Sequence, residues 1–189
     1  GGTGAAPLEF SNSLGMPARE AWGFVHNALV GVGKRDDVRV IASGKIMTGF
    51  HMIRAMALGA DLCNSARGMM FALGCIQALQ CNSNTCPTGI TTKGLVVPDK
   101  AERVFRYHQA TINGLIDLMD AMGVVGIREI TPDLIFRRTG DMQIKTFAEI
   151  YDFLTPGQLL DGGPLPAGWA NDWNNASASA FVRAVGPSP

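Results

Sequence analysis

Residues 39–75 read RVIASGKIMTGFHMIRAMALGADLCNSARGMMFALGC. The β-branched run over residues 38–42 predicts a short strand that ends at the small residues Ser43 and Gly44. Thr48 then has the residue type of a helix N-cap, and apolar residues recur after it at helical spacing. The stretch therefore begins with a strand followed by a helix.

The same order repeats directly afterwards. Gly59 ends the helix, residues 60–63 form a second short apolar strand, and the loop over 64–68 leads into a helix from 69 to about 80. Upstream, Pro17 begins another helical pattern. Strands that alternate with helices predict an α/β fold with a parallel sheet, and the spacing is short enough for a (β/α) barrel.

The rest of the chain divides by pattern and composition. A strongly helical pattern runs from Asp99 to Gly123, and Thr131-Pro132 predicts a short helix over 133–137. Beyond Thr155-Pro156 the sequence is rich in Gly, Pro, Asn, Ser and Ala, with the isolated Trp169 and Trp173 suited to docking on a surface. We therefore assign residues 1–125 to the barrel part, with the cysteine loop 75–86 inside it, residues 126–160 to a helical extension and residues 161–189 to a flexible tail.

Composition narrows the class of protein. With 189 residues, 47% of them hydrophobic and 17% charged, the chain can bury one sizeable core. Sixteen basic and sixteen acidic residues cancel without forming a basic stripe, which argues against nucleic acid and anionic membranes as partners. Charged residues interrupt the most apolar stretch, so we expect no membrane span and a soluble, cytoplasmic protein. The chain lacks an initiating Met, and we expect further sequence upstream.

Cys75, Cys81 and Cys86 form a C-x5-C-x4-C motif. Three soft ligands this close favour zinc or an iron-sulfur cluster. A zinc site would normally require a fourth Cys or His at short spacing, and none lies nearby, so a cluster with three protein ligands fits the count better. Structural thiols remain an alternative, because free cysteine is often buried as a small hydrophobe. Cys63, on an apolar strand, is expected in the core.

Small-residue loops follow both predicted strands. They contain Ser43-Gly44-Lys45 and Ser65-Ala66-Arg67-Gly68. In a (β/α) barrel the loops after the last two strands form a common phosphate site, and Lys45 and Arg67 could add positive charge. Capping turns have the same composition, so that alternative stays open.

The glycine-rich opening Gly1-Gly2-Thr3-Gly4 matches neither the P-loop nor the dinucleotide-binding fingerprint. Its glycines would let the backbone approach a flat ligand closely, whereas the alternative is a flexible surface loop.

Taken in order, GGTGAAPLEFSNSLGMP at 1–17, the stretch at 39–75 and CNSNTCPTG at 81–89 resemble the flavin domain of glutamate synthase. The similarity is greatest to the stand-alone FMN-binding glutamate synthase family, whose members lack the glutaminase domain, and it extends from Gly1 to about residue 160. The resemblance implies that the chain is the C-terminal part of a (β/α)8 TIM barrel, with additional C-terminal helices, that binds FMN and a [3Fe-4S] cluster.

The resemblance also implies roles for individual residues. Cys75, Cys81 and Cys86 would ligate the cluster. Catalytic proton-transfer residues would lie upstream of Gly1, so none is named. The FMN contacts would come from Gly2, Thr3 and Gly4 on the flavin and substrate side, and from Ser43, Gly44, Lys45, Ala66, Arg67 and Gly68 around the phosphate.

The activity implied by the resemblance is the reduction of 2-iminoglutarate, formed from 2-oxoglutarate and ammonia, to glutamate. Electrons would come from ferredoxin or a reductase subunit, and a homo-oligomer is compatible with this chemistry. Three alternatives stay open. The first is a related FMN enzyme such as an N-methylglutamate synthase, and the second is a non-catalytic iron-sulfur or electron-transfer subunit. The third is a barrel similar to inosine-monophosphate dehydrogenase, which would leave the cysteines unexplained.

Overall fold

A computed structural model describes residues 6–92 and 95–179. The helices in these ranges are α1 (Leu8–Asn12), α2 (Ala18–Gly31), α3 (Gly49–Ala57), α4 (Ala66–Ala72), α5 (Lys100–Met122), α6 (Phe147–Ile150) and α7 (Ala167–Asn175). The strands are β1 (Ile41–Ser43), β2 (Leu62–Asn64), β3 (Phe136–Gly140) and β4 (Gln143–Thr146), and single 3-10 turns lie at Ile127–Glu129 and Pro132–Leu134. The fold is mixed α/β. None of the helices in the described ranges combines the length and apolarity needed to span a membrane.

β1 and β2 form a parallel pair, as the alternation of strands and helices predicts. Ala42, which is fully buried, is paired in register with Cys63, and Ser43 is paired with Asn64. Because the strands are parallel, their carboxyl ends lie at the same edge of the sheet. The loops that follow the two strands therefore start side by side.

Helix α3, which connects the two strands, packs against the long helix α5. Thr48 caps α3 as predicted, since its hydroxyl accepts a hydrogen bond from the His51 N–H at 3.3 Å. Gly49 follows the cap, and a Cβ there would come within 2.5 Å of the Leu115 backbone nitrogen on α5. The two helices can approach this closely only because Gly49 has no side chain. The core they form with α6 includes the fully buried Ile53, Leu58 and Phe147.

A hydrogen-bonded network holds the amino ends of the two parallel strands. Arg35 donates from Nη2 to the Gly59 carbonyl at 2.8 Å and to Asp61 Oδ2 at 2.7 Å, and from Nε to His26 Nδ1 at 3.0 Å. The same Asp61 oxygen accepts from the Val40 N–H at 2.8 Å. Burial alone would raise the pKa of Asp61, but the hydrogen bonds from Val40 and Arg35 bring it below its usual value. The network leaves the carboxyl ends of the strands free for a site.

The segment predicted as a helical extension differs from that prediction. Pro132–Leu134 form only one 3-10 turn, and β3 and β4 follow as an antiparallel hairpin. The prediction of helix is therefore wrong for residues 136–146. The physical reason is local: aromatic and β-branched residues favour strands, and Gly140 precedes the turn that joins them.

The predicted flexible tail contains an ordered helix, α7, so that prediction is wrong for Ala167–Asn175. Trp169 is only 7% exposed, and its ring stacks on that of Phe24 from α2, with centroids 4.5 Å apart. Leu154 and Leu159 complete this small core. The polar composition hides the fact that Trp169 and Trp173, four residues apart, lie on one face of a helix.

Candidate functional site

A cavity of about 740 Å³ lies at the carboxyl ends of β1 and β2. Its walls come from the loop after β1, from the end of β2 and the first turns of α4, from α1 and the start of α2, and from the segment that follows α4. The residues predicted from sequence that it brings together are Ser43, Gly44, Lys45, Ala66, Arg67, Cys75 and Cys81. Gly2, Thr3 and Gly4 lie outside the described residues.

The loop after β1 has an unusual backbone. Gly44 has a φ of 124° and Lys45 a φ of 56°, so two successive residues lie at positive φ. Only glycine adopts the first conformation readily, and a Cβ at Gly44 would also lie 3.2 Å from that of Ala18. Lys45 donates from Nζ to Asn12 Oδ1 at 2.6 Å. The loop is therefore held against the segment that closes the other side of the cavity.

Two hydroxyl groups fix the loops after β1 and β2 to each other and to α5. Ser65 donates from Oγ to the Ile46 carbonyl at 2.6 Å, and Tyr107 donates from its hydroxyl to the Met47 carbonyl at 2.7 Å. The two hydroxyl oxygens are 3.2 Å apart. The geometry of this end of the cavity therefore depends on Tyr107, which lies more than forty residues after β2 in the sequence.

Gly68 is the one predicted phosphate residue within the described ranges that does not line the cavity. It is buried in the first turns of α4, where a Cβ would overlap the Tyr107 hydroxyl and come within 2.5 Å of Ser65 Oγ. The absence of a side chain at Gly68 therefore allows α4 to pack against Tyr107.

The cysteine segment begins outside the helix on which Cys75 was predicted. Helix α4 ends at Ala72, and Gly74 follows with a φ of 97°, so the expectation of a helical Cys75 is wrong. The Cys75 sulfur accepts a hydrogen bond from the Gln77 N–H at 3.4 Å. Three non-glycine residues of this segment, Gln77, Leu79 and Asn84, have a φ of 57–58°. Asparagine tolerates this left-handed conformation, whereas it costs Gln77 and Leu79 roughly 1–2 kcal/mol each.

The thiols differ in their tendency to ionise. Cys86 is buried, and its sulfur lies 3.2 Å from Thr88 Oγ1; hydrogen bonds from the Thr88 hydroxyl and backbone lower the pKa of Cys86 to about 7. Burial raises the pKa of Cys63 to about 11. Cys86 is thus suited to act as a thiolate ligand, whereas Cys63 is a neutral thiol.

The structure does not bring the three motif cysteines together. Cys75 and Cys81 line the cavity, whereas Cys86 does not. Within residues 6–92 and 95–179, no group of three or more His, Cys, Asp or Glu side chains is placed to hold a metal ion. In this arrangement the donor types suit an iron-sulfur cluster, but their positions do not form a coordination site.

The cavity also contains residues that the sequence patterns do not predict. Asn64 lines the cavity at the end of β2, directly opposite Ser43 in the strand register. The expected parallel pairing would have identified it, because both residues end their strands at one edge. Trp22 from α2 and Gln77 from the cysteine segment also line the cavity, and no local pattern signals either of them.

Comparison with known proteins identifies the family. Residues 1–125 match the family described as the conserved region in glutamate synthase. The chain belongs to the glutamate synthase family. It is 42% identical over 130 residues to the glutamate synthase large subunit-like protein YerD of Bacillus subtilis, which covers 66% of this chain and 25% of that protein.

Two further relatives extend the comparison. This chain is 34% identical over 136 residues to the archaeal glutamate synthase [NADPH] of Methanocaldococcus jannaschii, and the match covers 69% of this chain and 27% of that protein. It is 27% identical over 180 residues to the ferredoxin-dependent glutamate synthase 2 of Synechocystis, and the match covers 87% of this chain and 11% of that protein. The chain thus spans about a quarter or less of these relatives. No solved structure matches it.

Proposed function

We propose that this chain forms part of an FMN-dependent oxidoreductase of glutamate synthase type, and that the cavity holds the phosphate end of FMN. The observation that carries the proposal is the position of the cavity, which lies where two adjacent parallel strands end, between the loop after β1 and the start of α4. Loops in this position form the common phosphate site of (β/α)8 barrels, and we propose that β1 and β2 belong to such a barrel.

The lining of the cavity suits a flavin phosphate. Lys45 and Arg67 supply positive charge, and no Asp or Glu is among the described residues that line it. Gly44 leaves backbone exposed where an anion can approach closely. The apolar side chains of Trp22 and Met70 lie in the same cavity and provide surface against which a flat ring can pack.

The proposed chemistry divides between the cofactor and the protein. FMN, when bound, supplies hydride transfer. The residues of this chain hold and orient it: Lys45 and Arg67 at the phosphate, and Ser65 and Tyr107 by fixing the loop after β1, which carries Lys45. In this proposal the substrate is 2-iminoglutarate, made from 2-oxoglutarate and ammonia, and the electron donor is ferredoxin or a reductase subunit.

Binding of FMN and of riboflavin, which lacks the phosphate, tests the assignment. We expect Arg67→Gln to weaken FMN binding by about tenfold or more, because a charged hydrogen bond is lost, and to change riboflavin binding little. Arg106→Gln is the matched control, since Arg106 lies on α5 in an exposed ion pair with Glu102. Equal losses for FMN and riboflavin, or no loss for either, would show that the phosphate lies elsewhere.

We also propose that Cys75, Cys81 and Cys86 bind a [3Fe-4S] cluster, on the basis of their spacing and the family. Because the three sulfurs do not converge in this structure, no electron-transfer step is assigned to them. We expect protein purified without oxygen to contain iron that Cys81→Ala removes and Cys63→Ala retains. Stoichiometric zinc without iron, measured by elemental analysis, would contradict the cluster.

A further inference from the structure

A second cavity, of about 330 Å³, lies at the amino ends of β1 and β2. One wall comes from the turn before β1, at residues 35–39, and from the end of α3 and the turn into β2, within residues 56–61. The other wall comes from residues 127–132 and from Phe153. None of the described residues lines both this cavity and the main one, which lies at the carboxyl ends of the same strands. The family match ends at residue 125, so the second wall lies beyond the matched region.

Both walls of the second cavity contribute apolar side chains. Met56 and Ala60 lie on one wall, and Ile127, Ile130 and Phe153 lie on the other. Sites for small molecules typically have volumes of about 300–1,000 Å³, a mainly apolar lining and a few polar groups that fix the orientation of the ligand. The second cavity has the size and the apolar lining of a site for a compact apolar group.

Part of the charge in this cavity is already neutralised within the protein. Arg35 and Asp61 line it as an ion pair, with Arg35 Nη2 2.7 Å from Asp61 Oδ2. His26 accepts at Nδ1 from Arg35 Nε at 3.0 Å. Burial lowers the pKa of His26, and the positive charge of Arg35 lowers it further, so the imidazole is neutral at pH 7. These three residues therefore leave no net charge for a ligand to balance.

The remaining polar groups are available to a ligand. Arg128 is exposed, and no described residue forms an ion pair or hydrogen bond with its guanidinium; the same holds for the Thr131 hydroxyl. Arg39 donates from Nη1 to the Asp36 carbonyl at 3.2 Å, and its guanidinium has further donors. The Asp36 carboxylate lines the same cavity. Two guanidinium groups against one carboxylate leave one positive charge.

We propose that the second cavity binds a small monocarboxylate with an apolar body, with the carboxylate at Arg39 and Arg128 and the apolar body against Ile130 and Phe153. A planar guanidinium matches the two oxygens of a carboxylate, and a single negative charge balances the excess positive charge. Because the site lies at the opposite end of the strands from the main cavity, it does not depend on the proposed FMN assignment.

Calorimetric titration of the full protein, saturated with FMN and at constant ionic strength, tests the proposal with three probes. Phenylacetate carries both the carboxylate and an apolar ring, phenylacetamide keeps the ring without the charge, and inorganic phosphate has charge without the ring. We expect saturable binding of phenylacetate. Phenylacetamide and phosphate should each bind about fivefold or more weakly, because each lacks one of the two interactions.

Two variants with opposite expected effects test the residues. Arg128→Gln should weaken phenylacetate binding by about fivefold or more, through loss of a charged hydrogen bond. Asp36→Asn should strengthen it by about two- to fivefold, since it removes a negative charge near the carboxylate. A merely structural role of either residue would not make binding tighter. Arg106→Gln is the matched control and should bind as the wild type does, because its ion pair with Glu102 is exposed on α5 and Arg106 does not line this cavity.

Arg67→Gln, titrated in parallel, distinguishes this site from the main cavity. We expect it to bind phenylacetate as the wild type does, whatever its effect on FMN. The proposal is overturned if phenylacetate gives no saturable binding, or if phenylacetamide or phosphate binds as tightly. It is also overturned if Arg128→Gln and Asp36→Asn both bind as the wild type does, or if only Arg67→Gln weakens binding.

Discussion

Asn27 on α2 accepts a hydrogen bond at 2.7 Å from the backbone N–H of Leu154, which lies 127 residues later in the chain. The Asn27 side-chain nitrogen donates to the Asp152 carbonyl at 2.9 Å and to the Gly23 carbonyl at 2.8 Å. Asn27 is 2% exposed and is the buried polar residue of the described core. Its carboxamide is therefore the link that positions residues 152–154 against α2.

We expect Asn27→Ala to lower the free energy of unfolding by about 2–3 kcal/mol, because the Leu154 N–H and the Asp152 carbonyl lose their buried partner. Gln109→Ala is the control: Gln109 bonds Asn113 on the exposed surface of α5, and its loss should cost about 0.5 kcal/mol or less. Urea unfolding measures both. If Asn27→Ala lowers the free energy of unfolding no more than Gln109→Ala does, Asn27 does not hold residues 152–154 against α2.

The helix α7 gives a second test of how the C-terminal part is held. Trp169→Ala should destabilise the protein by about 3 kcal/mol, since it removes a buried ring that stacks on Phe24. Trp173→Ala is the matched control, because Trp173 lies one turn further along α7 and is only partly buried. It should lower the free energy of unfolding by about 1 kcal/mol. Thermal unfolding of both variants measures the difference. Equal effects would mean that α7 does not dock through Trp169.

Much of the region around the cavity could be predicted from sequence, because its signals are local. Thr48 and Gly59 mark the ends of α3, and the small residues after each strand identify the loops. The cavity residues Ser43, Lys45 and Arg67 follow from those loops.

What the sequence could not show depends on distant contacts. Tyr107 lies in an ordinary helical pattern, and only packing reveals that its hydroxyl holds the loop after β1. Asn27 likewise has no local signal, because its partners are more than a hundred residues away. The β3–β4 hairpin has the opposite cause, since the strong local signal of Thr131-Pro132 predicts a helix that in the structure is only one 3-10 turn before the hairpin.

The network at the amino ends of the strands makes stability depend on pH. The folded-state pKa of Asp61 lies below its ordinary value, so its contribution is present above the unfolded pKa of about 4 and is lost as the pH falls through the lower folded pKa. We expect Asp61→Asn to destabilise the protein at pH 7 and to have a smaller effect below pH of about 4. Asp37→Asn is the control, because Asp37 pairs with Lys34 at a site where both side chains are 65% exposed. Urea unfolding across this pH range measures the difference, and a penalty for Asp61→Asn that is independent of pH would contradict the assignment.

The contact between Gly68 and Tyr107 can be separated from a role of Gly68 at the phosphate. Gly68→Ala should destabilise the protein by about 1–3 kcal/mol, because its Cβ would overlap the Tyr107 hydroxyl. Tyr107→Phe alone should cost about 1 kcal/mol, through the lost bond to the Met47 carbonyl. In the double variant the hydroxyl is absent, and we expect the two costs to sum to more than the measured loss. Only partial relief is expected, since Ser65 Oγ also lies within 2.5 Å of the added Cβ.

The control is His108→Gln, at the next position of α5, which is exposed, and it should have little effect on stability. Thermal unfolding and FMN titration on all four variants provide the readout. If Gly68→Ala lowers FMN affinity without lowering stability, then Gly68 acts at the phosphate and not through Tyr107.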